Sequence, residues 1–209
     1  MKRKLFFAIL FSMAALHQSV AQTMIGPSVS IFGQSLTDRT IVKDLNLKPK
    51  SPGLDFGVNT LSELSPFTSI RAGLNYSFQS FSYEFIEDSK SGELTTTDLN
   101  VQYINVSGGP HFTLFDEGTG KIRPYGEFLI GASFAVSKKS IDSPDFDSPI
   151  PPTNFNVMIS PGVGAFVKVS EFTKFLFGFR YDRMLIEQFK DTDSRLNRYG
   201  LNTSIIFTL

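Results

Sequence analysis

The sequence predicts an all-β fold: one eight-stranded antiparallel up-and-down transmembrane β-barrel of the outer-membrane type. Three observations predict it. The first is a period of two. Phe155, Val157, Ile159, Val163, Ala165 and Val167 alternate with Asn156, Met158, Ser160, Gly162, Gly164 and Lys168, and the pattern restarts with Phe175, Phe177, Phe179 and Tyr181 against Gly178, Arg180 and Asp182. An aromatic-rich face opposite a face of glycines and full charges fits a strand with lipid on one side and a wet or ion-paired interior on the other. The second is what the chain lacks and what it abounds in. No apolar run after residue 21 approaches the roughly 18 residues of a membrane-spanning helix, while 22 Phe and no Trp stand in 209 residues. In hydrocarbon only a closed barrel then satisfies the backbone. The third is that connections alternate long and short, as outer loops and periplasmic turns do in such barrels.

Taken in order, residues 1–21 have the three parts of an export signal: basic Lys2, Arg3 and Lys4, an apolar stretch over 5–16, and a small-x-small end at Ser19-Val20-Ala21. The barrel domain is expected over 22–209. With no cysteine, it is neither anchored through a cysteine-linked acyl chain nor stapled by disulfides. The first strand is predicted over 24–34 and is followed by a long polar loop, 35–52. The second, 53–61, sets Leu54, Phe56 and Val58 against Asp55, Gly57 and Asn59, and ends in a tight turn at 62–66, where Pro66 interrupts pairing.

The third strand, 67–86, places Ile70, Ala72, Leu74, Tyr76 and Phe78 outward and Arg71, Gly73, Asn75, Ser77 and Gln79 inward. Beyond it Phe81, Tyr83 and Phe85 fall on the polar face, which predicts a bulge near Ser80 or a strand that has left the bilayer. A polar turn at 87–93 leads to the fourth strand, 94–115, with a weak middle at Gly108-Gly109-Pro110. After a turn at 116–120, the fifth strand, 121–136, points Arg123, Glu127, Gly131 and Ser133 inward. A loop with four prolines and three aspartates, 137–153, precedes strands six and seven, which are separated by Ser170-Glu171. A polar stretch, 187–197, leads to the eighth strand, 198–209. A soluble lipocalin-like barrel would have the same count with the faces reversed. Charges set among glycines, and a final strand of aromatic and apolar alternation, favour the membrane.

Short runs along these strands look familiar. Tyr103-Ile104-Asn105-Val106, Arg123-Pro124-Tyr125-Gly126-Glu127 leading to Gly131, Pro161-Gly162-Val163-Gly164-Ala165, and Phe179-Arg180-Tyr181 resemble successive strands of the PorT-type outer-membrane β-barrel family. These proteins are common in the Bacteroidota, a Gram-negative group, and are often labelled "porin family". The resemblance spans essentially the whole mature chain and implies an outer-membrane barrel with no shared catalytic residue. The founding member is associated with the type IX secretion system, a role not carried over to a generic relative.

For chemistry, the inward charges Arg71, Arg123, Glu127, Lys168, Arg180 and Asp182 come first. Eight strands leave an interior only wide enough for side chains, so they are read as a structural lumen network that neutralises itself. The alternative is a narrow path for ions or very small solutes. His111, the sole histidine of the mature chain, is expected at the periplasmic rim. Ser107, four residues back on the same strand face and about 13 Å away at strand rise, is too far to form a catalytic pair, so no enzymatic role is expected. Asp142, Asp145 and Asp147 match no calcium motif and read as a solvated loop. No metal or cofactor is expected. Net charge is zero, which excludes a basic field for nucleic acid. The expected function is structural or interactive, through the outer loops 35–52, 137–153 and 187–197, in the cell outer membrane. The expected partners are outer-membrane lipid, the barrel assembly machinery during insertion, and an extracellular or secretion-complex protein.

Overall fold

Each strand pairs antiparallel with the next in sequence, and the last closes on the first. In the computed structural model, which describes residues 22–37, 45–86, 94–114, 121–140, 152–189 and 194–209, these are β1 (Gln22–Thr37), β2 (Leu45–Ser65), β3 (Thr68–Ile86), β4 (Leu94–Thr113), β5 (Ile122–Ser140), β6 (Phe155–Lys168), β7 (Thr173–Met184) and β8 (Arg195–Thr208). The predicted export signal, the polar turn at 87–93 and the Asp142, Asp145 and Asp147 loop lie outside the described residues.

Register fixes the barrel's size. Followed from Ile25 through Thr60, Ala72, Gly108, Ile130, Ile159, Arg183 and Asn197, it returns to β1 at Ser35, ten residues further along. For eight strands this stagger corresponds to a tilt of about 40° and an interior that side chains fill.

The two faces are inverted relative to a soluble barrel. Leu74, Val163 and Leu201 are 57%, 62% and 65% exposed, whereas Arg71 and Arg198 are 1% and 0% exposed. The outward aromatics include Phe56, Phe78, Phe128, Phe134, Phe177, Phe179 and Phe207. Along β8 the outward face is apolar or aromatic from Tyr199 to Leu209, apart from Thr203. At about 3.3 Å per residue and this tilt the stretch rises about 25 Å, the height of a barrel's lipid-facing band. The molecule therefore has the surface of a membrane-spanning barrel.

Several boundaries differ from expectation. Residues 35–37 and 45–52 do not form a polar loop: they extend β1 and β2, with 35–37 paired on β8 and 45–50 on β3. Above the bilayer a strand has no lipid side, so apolar alternation disappears while pairing continues. Cross-strand polar pairs replace it, with Lys48 Nζ 2.9 Å from Glu84, Lys50 paired with Asp98, and the Ser80 hydroxyl donating to Asn100 Oδ1 at 2.5 Å. Nor does β3 bulge near Ser80. Its alternation continues, and Phe81 is fully buried in the lumen. The irregularity lies in the partner strand, between Lys50 and Leu54, where Pro52 has no N–H to give the ladder. The connections at 87–93 and 114–121 are of similar length, so the contrast between long and short ends rests on the others.

Candidate functional site

Among the described residues the filled lumen concentrates the buried charge, and parity along each strand puts it there. Its middle layer contains two charged groups. In the first, Arg71 on β3 reaches across to β5, where Nη1 donates to Glu127 Oε2 at 2.6 Å, and to β8, where Nη2 donates to Asn202 Oδ1 at 2.8 Å. His111 on β4 presents Nδ1 3.5 Å from the same Glu127 oxygen. The second group is a closed ring of four charges from β2, β7 and β8. Arg180 Nε lies 2.8 Å from Asp182 Oδ1, and Asp182 Oδ2 accepts from Arg198 Nη2 at 2.6 Å. Arg198 Nη1 lies 3.4 Å from Asp55 Oδ1, and Arg180 Nη2 lies 3.5 Å from Asp55 Oδ2. Two arginines and two aspartates cancel, as do Arg71 and Glu127.

Neutral polar side chains join the charges. Asn202 Nδ2 donates to Ser30 at 2.7 Å, Asn59 Nδ2 to Ser204 at 2.7 Å, and Ser28 to Asn75 Oδ1 at 3.0 Å. The space lined by Ser30, Arg180, Asp182, Arg198 and Asn202 is about 10 Å³, close to the least that holds one water.

Apolar clusters lie on either side of this layer. Toward the short turns and the chain ends, Met24, Leu61, Tyr125, Phe166, Leu176 and Ile206 pack together. The Tyr125 ring lies against His111, tilted by 32° with centroids 4.4 Å apart. Two glycines make room for it: a Cβ at Gly178 would stand 2.5 Å from the Tyr125 hydroxyl, and one at Gly164 2.7 Å from its Cζ. Toward the opposite end Phe81, Leu99, Val101, Tyr103, Met158, Met184, Phe189 and Leu196 form a second cluster. Here the segment after β7 folds inward. Phe189 meets Phe81 edge to face at 5.1 Å, Gln188 Nε2 donates to the Tyr103 hydroxyl at 2.5 Å, and Thr153 N–H donates to the Gln188 carbonyl at 2.9 Å.

Of the six charges predicted for the lumen, Arg71, Glu127, Arg180 and Asp182 meet one another or close partners. Arg123 is also buried, nearer the short-turn end, with its guanidinium 4.1 Å over the Phe166 ring. Lys168 has the inward parity, but it is the last residue of β6 and exposed. It lies at the short-turn end of the wall, opposite Lys174, too low to join the network. His111 is not a rim residue: it is fully buried at the level of Glu127, because β4 and β5 pair them directly. Asp55 and Arg198, absent from the predicted network, complete the ring, and the same alternation that found the others marks both as inward. The 187–197 stretch, expected wholly as an outer loop, puts Gln188 and Phe189 inside. Among the described residues no group of three or more His, Asp or Glu side chains is placed to hold a metal ion.

A closed eight-stranded barrel with an apolar outer band and a buried, charge-compensated interior defines the molecule as an outer-membrane-type β-barrel. Among solved structures it is similar to the outer membrane protein OprG from Pseudomonas aeruginosa, with a TM-score of 0.61 over 91% of this chain and 96% of that one at 6% identity. It is also similar to Neisserial surface protein A, with a TM-score of 0.47 over 88% and 96% of the two chains at 12% identity. At these identities the likeness is one of fold. No protein-family model matches the chain, and no curated protein does.

Proposed function

We propose that the chain is a non-conducting outer-membrane anchor, a structural or interaction protein that meets an extracellular or secretion-complex partner through its outer rim. The observation that supports this reading is closure of the lumen at three depths: an apolar cluster at each end and a charge-compensated layer between them. An ion in transit would have to displace buried arginine–carboxylate contacts, and breaking such contacts costs about 3–5 kcal/mol. In this reading the export signal delivers the chain, the barrel assembly machinery inserts it, and the long-connection end faces outward. No catalytic role is assigned. Membership of the PorT-type group belongs to the same proposal, on the motifs quoted above.

The test is planar-bilayer recording of refolded mature protein whose unheated gel band migrates as a folded barrel. Silence is expected. Discrete ohmic steps would overturn the sealed-lumen reading and bring the narrow porin forward. A secretion role would be read separately, from blocked export of a substrate set after gene deletion.

A further inference from the structure

On the outward face of β7, β8 and β1 the side chains line up in rows. Tyr181 stands opposite Tyr199, and Tyr199 opposite Gly33. A Cβ at Gly33 would lie 2.8 Å from the Tyr199 ring, so the glycine lets that ring lie against the sheet. The next row toward the long-connection end is Arg183, Asn197 and Ser35, and the one beyond pairs Arg195 with Thr37. Arg183 and Arg195 are both exposed. Their register makes them diagonal neighbours, about 7–8 Å apart.

Of the other described cations at this end, Lys139 stands exposed on β5, away from the tyrosine pair, and three are engaged. Lys48 pairs with Glu84, Lys50 with Asp98, and Lys138 donates to the Pro152 carbonyl and to Asn154 Oδ1. Arg183 and Arg195 make no ion pair with a carboxylate among the described residues, Glu187 included. Tyrosine rings settle at headgroup level, and a guanidinium fork matches phosphate oxygens in a way an ammonium does not. Two such forks stand one and two rows above a tyrosine pair, at the edge of the apolar band, which is where lipid phosphates lie.

We propose that Arg183 and Arg195, above the Tyr181–Tyr199 pair, bind the phosphate groups of an anionic lipid in the outer leaflet. This rests on the outward orientation of the long-connection end proposed above. The probe is bis-phosphorylated lipid A, with its dephosphorylated form as control, added to the refolded mature protein in detergent and counted by native mass spectrometry. Wild type is expected to retain the phosphorylated lipid. Arg183→Gln/Arg195→Gln should weaken retention about 30-fold, the effect of two interfacial charges. Lys48→Gln/Lys50→Gln should leave it unchanged. Equal retention of both lipids, or by wild type and the arginine variant with both migrating as folded barrels, would overturn the site. Displacement of the lipid by an equimolar amount of inorganic phosphate would also overturn it, by showing a site for free anions. Orientation is read independently. The chain has no cysteine, so Lys48→Cys in intact cells should react with a membrane-impermeant maleimide. Labelling without lipid discrimination sinks the site alone, whereas failure to label a folded barrel sinks the orientation.

Discussion

Glu127→Ala probes the middle layer most directly. The Glu127 and Arg71 side chains are each 2% exposed and 2.6 Å apart, and His111 lies against the same carboxylate oxygen. Removing the carboxylate leaves the Arg71 guanidinium buried with only neutral partners such as Asn202. Stranding one member of a buried pair costs about 3–5 kcal/mol. The same principle predicts relief when both charges go: Arg71→Met/Glu127→Ala should recover most of that loss, because a buried pair replaced by apolar groups is often near neutral. The chain has no Trp, so unfolding in lipid vesicles would be followed against urea by far-UV circular dichroism and by the heat-modifiable gel band. A single variant within about 0.5 kcal/mol of wild type, the range of an ordinary surface substitution, would refute the buried pair. So would a double variant no more stable than the single one, since the cost would then come from lost volume instead of a stranded charge.

Three further outcomes are expected. Gly178→Leu should fail to give a compact unheated gel band, because its first added atom meets the Tyr125 hydroxyl at 2.5 Å and the Val163 carbonyl at 2.7 Å; a folded variant with an unchanged urea midpoint would mean the lumen is looser than described. Phe189→Ala should lose about 3 kcal/mol, the low end for a buried phenylalanine, yet stay silent in a planar bilayer because the charge layer and the inner cluster persist; conductance steps would show that the outer cluster is the sole seal. Lys168→Ala should leave the urea midpoint unmoved, since the residue is exposed at the strand end; a loss comparable to that of Glu127→Ala would put it back in the network.

What alternation reports is the side of the wall, and the difference between side and depth explains both what the sequence revealed and what it hid. Arg71, Arg123, Glu127, Arg180 and Asp182 could be placed inside because a period of two leaves no other choice, and Asp55 and Arg198 obey the same rule. Lys168 obeys it too and is still not in the lumen, because parity says nothing about height. Height comes from register and tilt, which belong to pairs of strands. Only the stagger around the barrel lets Arg71 on β3 reach Glu127 two strands away and Asn202 on β8, and only the β4–β5 register sets His111 beside Glu127. Where the strands rise above the lipid the rule itself lapses, so the extensions of β1 and β2 were hidden, as was Phe189, an aromatic in a polar stretch. The distribution of charge by depth then bears on what can vary. At mid-depth the described acids and bases are matched, and the layers on either side are mainly apolar, with Arg123 over the Phe166 ring and Lys174 paired to Glu63 at 2.7 Å toward the short turns, so changing one interior residue disturbs its partners before it can open a path. On the outer rim Lys48, Lys50 and Lys138 are held by neighbouring side chains or carbonyls, whereas Arg183 and Arg195 meet no described carboxylate. A substitution there alters what the surface meets without disturbing what holds the barrel closed, and for this reason the proposed recognition is sought at the rim and not in the lumen.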